Sequence, residues 1–214
     1  MGLISLLFKD PAAFAILAAL LLYSVIFHEV AHGLVAYFFG DDTAWKRGRL
    51  TLNPLPHIDP LGAIFLFLVG FGWARPVPVD FRRLRSPRLG LIAVAMAGCA
   101  ANLILATLAF YALTFEAVRA RPVLADVLPV VIHINVILCA FNLIPIPPLD
   151  GSKVFAGFFP SIGPFFAKIE RFGFLILVLL LATKVLNPVI SSLEHLIYAA
   201  LAAAFHLSGT AAIS

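Results

Sequence analysis

Long apolar runs with few charges alternate along this chain with short segments that hold most of its charge. The runs are 11–39, 89–115, 127–146, 172–186 (short) and 189–207. A helix needs about 20 apolar residues to cross a bilayer core, so these runs predict an all-α polytopic membrane protein of about five to six transmembrane helices. Pro11 suits the first turn of the first helix, where its missing N–H costs nothing. The run 61–73 is too short to span and ends in Gly70-Phe71-Gly72, which predicts a re-entrant segment. Residues 47–52 alternate imperfectly between polar and apolar and precede Pro54 and Pro56. That pattern suits a small β-hairpin or edge strand, with a solvated basic loop as an equal alternative. No internal repeat is present, and one membrane-embedded domain over 1–214 accounts for the chain. Its core covers about 11–155 and its C-terminal helices about 170–207.

Composition agrees. Hydrophobic residues make up 62% and charged residues 12%, with a mean hydropathy of +1.05, whereas soluble domains carry about 25% charged residues. Met1 to Asp10 lacks the basic start and small-residue cleavage site of a signal peptide, so it is expected to be retained. Cys99 and Cys139 both lie in apolar runs, which reads as two buried small hydrophobes rather than a disulfide.

The net charge of +4 gives no reason to invoke nucleic acid; it reports topology. If 61–73 dips in and returns, one side collects Lys46, Arg47, Arg49, Arg75, Arg82, Arg83, Arg85, Arg88, Lys153, Lys168 and Arg171. The other side holds only Lys9, Arg119, Arg121 and Lys184. The positive-inside rule makes the richer side cytoplasmic, with the N-terminus outside and the C-terminus inside. The expected location is the cell membrane, with multiple passes.

His28-Glu29-Val30-Ala31-His32 breaks the first apolar run with three ionisable side chains. At bilayer depth each costs ~2–3 kcal/mol or more, which two core histidines and a snorkelling Glu do not repay. His28 and His32 sit one turn apart on one helix face, the spacing at which both reach one zinc ion. Glu29 projects beside that face, where a carboxylate takes a proton from attacking water. Both histidines fall nearer the cytoplasmic end of their helix.

A catalytic zinc usually has three protein ligands. Asp150 follows Asn142-Leu143-Ile144-Pro145-Ile146-Pro147-Pro148-Leu149 and precedes Gly151, where a helix unwinds at its cytoplasmic end. Non-helical backbone at that depth is tolerated where it lines a cavity or is buried in protein. Pro-Leu-Asp-Gly alone reads as a polar turn; beside an intramembrane H-E-x-x-H, the ligand reading is preferred. Asn102 and Asn142 are candidate donors to a developing oxyanion, and equally readable as interhelical hydrogen bonds; Asn135 reads as the latter. His57 reads as a loop-packing or cleft-rim residue, and His133, His195 and His206 lie off the metal.

These residues resemble the site-2 protease family of intramembrane zinc metalloproteases. The matching pieces are His28-Glu29-Val30-Ala31-His32-Gly33, the Asn-x-x-Pro…Leu-Asp-Gly run from Asn142 to Gly151, Leu52 to Pro60, and Trp73-Ala74-Arg75-Pro76-Val77-Pro78-Val79. The resemblance implies His28, His32 and Asp150 as ligands of one zinc ion (Zn2+), Glu29 as the catalytic carboxylate, and cleavage of a substrate's transmembrane segment. The family often shows Gly-Pro-x-x-Asn where this chain has Gly98-Cys99-Ala100-Ala101-Asn102; the proline is lost and Asn102 is kept as a cleft residue. Family members often carry PDZ or CBS domains; the short outer loop 116–126 and the seven residues after Leu207 lead to the expectation of neither here. Regulation is then expected to come through an earlier trimming of the substrate or through a partner protein. The expected partners are a transmembrane protein substrate and the lipid bilayer. The competing reading is a zinc transporter or sensor, which accounts for the intramembrane ligands but less well for Glu29, since a non-ligating carboxylate beside two ligands is the protease arrangement.

Overall fold

The computed structural model describes residues 3–69 and 72–207, side chains excluded at 3–5, 65–69 and 205–207. The regular elements of the described residues are all helices, with no strand among them. They divide into two compact units, Met1–Gly90 and Leu91–Ser214.

In the first unit α1 (Leu3–Lys9) and α2 (Pro11–Phe38) pack together, and α1 also meets α4 (Pro60–Val69). The start of α2 is set by Asp10, whose carboxylate accepts from Ala13 N at 2.9 Å, and by Pro11 at the first helical position. Ser24, His28, His32 and Ala36 are buried at intervals of four, so one stripe of this helix faces protein. The helix stops where Gly40 takes φ +103° and Asp41 N donates to Ala36 O at 2.9 Å. The predicted re-entrant stretch is helical over Pro60–Val69; ten residues rise only about 15 Å, too little to cross. Gly70 and Phe71, in its predicted glycine-rich end, lie outside the described residues.

The edge strand predicted at 47–52 is not formed. The helical turn α3 (Thr43–Lys46) closes through Gly48 N to Trp45 O and Arg49 N to Ala44 O, both 2.9 Å, with Gly48 at φ +62°. The Thr51 carbonyl is then taken by His57 Nε2 at 2.9 Å rather than by a ladder partner. A side chain has replaced the strand pairing that the alternation suggested.

The second unit is built on α5 (Pro87–Thr114), whose first turn holds the unit boundary, and α7 (Pro122–Asn142). The short helix α6 (Glu116–Arg119) links them, and the Arg119 guanidinium donates to Leu113 O at 2.9 Å and Thr114 O at 3.1 Å, capping α5. The helix α7 begins earlier than the pattern suggests because Pro122 occupies its first turn and Pro129 is accommodated inside it. Cys99, Ala106, Ala109, Val136, Cys139 and Ala140 form a core of small side chains that lets these helices approach closely.

Cys99 and Cys139 are joined by a disulfide, contrary to their reading as independent buried hydrophobes; the antiparallel helices bring their Cα atoms to 4.6 Å.

After α7 the chain unwinds through a cis Pro147-Pro148 bond and enters α8 (Asp150–Phe158). Next come α9 (Gly163–Ala182) and α10 (Asn187–Leu207), bent by 87° at a turn where Lys184 has φ 59°. Among the described residues three helices, α2, α5 and α7, are long and apolar enough to cross a membrane, and the count becomes four if α9 and α10 form one broken span. Sequence pattern predicts more spans because it treats the runs on either side of the bend as separate crossings.

Candidate active site

The first unit holds the H-E-x-x-H. His28 and His32 are both buried, with ring centroids 4.6 Å apart and planes at 83°. Their four-residue spacing on α2 makes them neighbours, as the sequence predicts. Glu29 is half-buried, and its Oε2 accepts from the backbone N–H of Val77 at 2.9 Å. That partner is 48 residues away in sequence, and no sequence pattern singles it out.

The segment carrying Val77 is irregular from Gly72 to Asp80 and is anchored at several points. Arg75 N donates to His57 O at 2.8 Å, and the Arg49 guanidinium donates to Arg75 O at 2.8 Å. Asp80 N donates to Asp41 Oδ2 at 2.7 Å. Asp41 is fully buried, and its other oxygen accepts from Thr43 N at 3.0 Å and from the Thr43 hydroxyl. Burial holds the Arg49 guanidinium below its ordinary pKa; the neighbouring charge of Arg75 adds to this, and the Glu29 carboxylate opposes it.

Gly33, just after His32, has a steric role. A Cβ there would lie 2.6 Å from Leu50 Cδ2 and 2.7 Å from Val77 Cγ1, closer than carbon atoms approach. The missing side chain lets the 50s loop and the Val77 segment sit against α2.

His57 is fully buried and packs this loop, as expected from sequence. Its contact with the Thr51 carbonyl makes Nε2 the protonated nitrogen and leaves Nδ1 buried with no hydrogen-bond partner among the described residues.

The second unit holds the other predicted residues. Asp150 opens α8, is buried, and lies 3.2 Å from Lys153 Nζ. Gly151 follows it because a Cβ would meet Leu143 O and, at 2.5 Å, Ile144 O. The unwound run therefore packs directly on the helix start that presents Asp150. Asn102 is fully buried, and its Nδ2 donates to Asn135 Oδ1 at 2.8 Å. Asn135 Nδ2 donates in turn to Val131 O at 2.8 Å. This is the interhelical bond that the alternative reading of Asn102 described. Asn142 is half-buried, and its Nδ2 donates to Leu138 O at 3.0 Å within its own helix. His133 is exposed, and its Nδ1 lies 3.2 Å from the Tyr198 hydroxyl.

The donor set suits zinc: two buried imidazoles one turn apart and a buried carboxylate are nitrogen and oxygen ligands of the kind this ion takes in open catalytic sites.

Comparison with known proteins points the same way. The profile of Peptidase family M50 matches residues 115–183. The chain is 42% identical over 171 residues to "Putative zinc metalloprotease YwhC" of Bacillus subtilis (strain 168), covering 76% of this chain and 78% of that protein. It is 33% identical over 175 residues to "Putative zinc metalloprotease Rip2" of Mycolicibacterium smegmatis, covering 78% of this chain and 66% of that protein. No solved structure matches. With a relative this similar over most of both lengths, and with an H-E-x-x-H buried in an apolar helix, the chain belongs to Peptidase family M50, the site-2 protease family of zinc metalloproteases.

Proposed function

We propose that this enzyme hydrolyses a peptide bond in or near the transmembrane segment of a membrane-protein substrate, as a step of regulated intramembrane proteolysis. His28, His32 and Asp150 hold one zinc ion, and Glu29 is the catalytic carboxylate. The observation that carries this reading is the pair of buried imidazoles, with Glu29 between them in sequence, inside a 28-residue span.

Zinc, when bound, lowers the pKa of water and polarises a carbonyl oxygen. Glu29 takes the proton of the attacking water on a carboxylate oxygen and returns it to the leaving amine nitrogen. Asn142 has one Nδ2 hydrogen committed to Leu138 O; the other is a candidate donor to the developing oxyanion. Asn102 acts through Asn135, holding α5 to α7.

The basic loops face the cytoplasm in this reading, the active site lies nearer that side of the cell membrane, and Phe172–Leu186 and Val189–Leu207 are candidates for further spans. Partner proteins or an earlier cut in the substrate supply the regulation.

Co-expression with candidate single-span membrane proteins, comparing wild type with Glu29→Gln, tests the proposal. Cleavage by wild type alone, with zinc retained in both, supports it. Metal movement across the membrane that survives Glu29→Gln, without cleavage by either form, favours the transporter reading instead.

A further inference from the structure

We propose that the Val77 backbone N–H is a positioning group for Glu29, presented by the rigid Pro76-Val77-Pro78 segment. This rests on the peptidase reading above. The contact is short and points at the residue that moves the proton: Val77 N donates to Glu29 Oε2 at 2.9 Å. A glutamate side chain on a helix has three rotatable bonds, and its carboxylate samples several directions unless something holds it. One hydrogen bond on Oε2 selects among them and leaves Oε1 to serve the reaction.

The local sequence is suited to that task. Proline has no N–H, so in Pro76-Val77-Pro78 only Val77 has a backbone donor. Each proline fixes its own φ, and the residue before a proline is driven into extended conformations. The donor is thus displayed from a stretch that loses little freedom when it docks.

Three further features hold the stretch in place. Arg75 N is bonded to His57 O upstream, and Asp80 N to the buried Asp41 carboxylate downstream. The Val77 side chain is 6% exposed and packs where Gly33 leaves room on α2. Anchors on both sides of the donor, with a glycine-made seat between them, exceed what a connector needs. They place one N–H on one carboxylate oxygen.

Two measurements test this. Hydrogen exchange in detergent micelles reads the contact itself, because Val77 supplies the only exchangeable backbone amide of residues 76–78. Exchange at Val77 should accelerate at least tenfold in Glu29→Ala, whereas Glu29→Gln, which retains an accepting oxygen, should keep most of the protection. Equal protection in wild type and Glu29→Ala overturns the proposal.

The second measurement replaces Val77 by 2-hydroxyisovaleric acid, which deletes the N–H and keeps the side chain. With dye-labelled unfolded casein as probe, kcat should fall about tenfold while KM and zinc content stay at wild-type values. The same ester at Val79, whose N–H makes no hydrogen bond among the described residues, should leave kcat unchanged. Equal kcat for the Val77 ester and wild type, or equal loss from both esters, overturns the positioning role. If zinc-loaded wild type cuts neither the casein nor the single-span membrane proteins of the co-expression test, the peptidase reading is what fails, and the exchange result judges the contact by itself.

Discussion

Asn102 on α5 donates to Asn135 on α7 at 2.8 Å, one helical turn from the disulfide that joins Cys99 to Cys139. The two helices run antiparallel, so residues three apart on one meet residues four apart on the other, and both links fall on one contact line. A covalent bond and a buried amide pair therefore hold the same interface. Interhelical hydrogen bonds in membrane proteins are worth ~0.6 kcal/mol on average and up to ~1.7 kcal/mol. A double-mutant cycle with Asn102→Ala and Asn135→Ala, read by unfolding in detergent, should give a coupling within that range. Zero coupling would mean that the pair is not a stabilising link.

The cysteines give a separate expectation. Unreduced protein, unfolded in denaturant, should offer no thiol to maleimide, and reduction should release two. Two reactive thiols before reduction would return Cys99 and Cys139 to the role of buried hydrophobes.

For the metal, purified protein should hold close to one zinc per chain, with His32→Ala and Asp150→Ala sharply depleted. Chelation should abolish hydrolysis, and added zinc should restore it. Asp150 leaves the ligand set if its alanine variant keeps a full complement. In that case its role at the start of α8 is structural, with the contact to Lys153 as part of it.

Gly151→Ala should be among the more damaging single changes outside the H-E-x-x-H. The new Cβ would press on carbonyl oxygens of the unwound run, 2.5 Å away at Ile144, and backbone cannot swing aside as a side chain can. Such overpacking costs roughly 1–3 kcal/mol. Thermal unfolding together with zinc content reads it; a neutral result would show that the run relaxes freely.

Orientation is checked by an impermeant thiol reagent applied to Ser86→Cys and Ala120→Cys in a background without Cys99 and Cys139. Position 120 should react from outside intact cells, and position 86 only after lysis. The reverse pattern would invert the topology and the side of product release.

The local code of the chain is readable wherever the chemistry is local. His28, Glu29 and His32 share one helix, so their spacing alone sets their faces, and the structure finds both imidazoles buried together. Pro11 and Asp10 mark where that helix begins for the same reason. Apolar runs of sufficient length announce α2, α5 and α7 because a helix satisfies its own backbone within a bilayer. Tertiary packing decided what depends on distant partners. The weak alternation at 47–52 carries no strand, since the Thr51 carbonyl goes to His57 and the neighbouring turn closes on itself. Two cysteines 40 residues apart become a disulfide only because two antiparallel helices meet in that register. Asn102 becomes an interhelical donor through the same meeting. The Val77 N–H reaches Glu29 across 48 residues, and nothing in a valine's side chain signals it. Periodicity records which face a residue occupies along its own element; which backbone or side chain lies opposite that face is set by the fold.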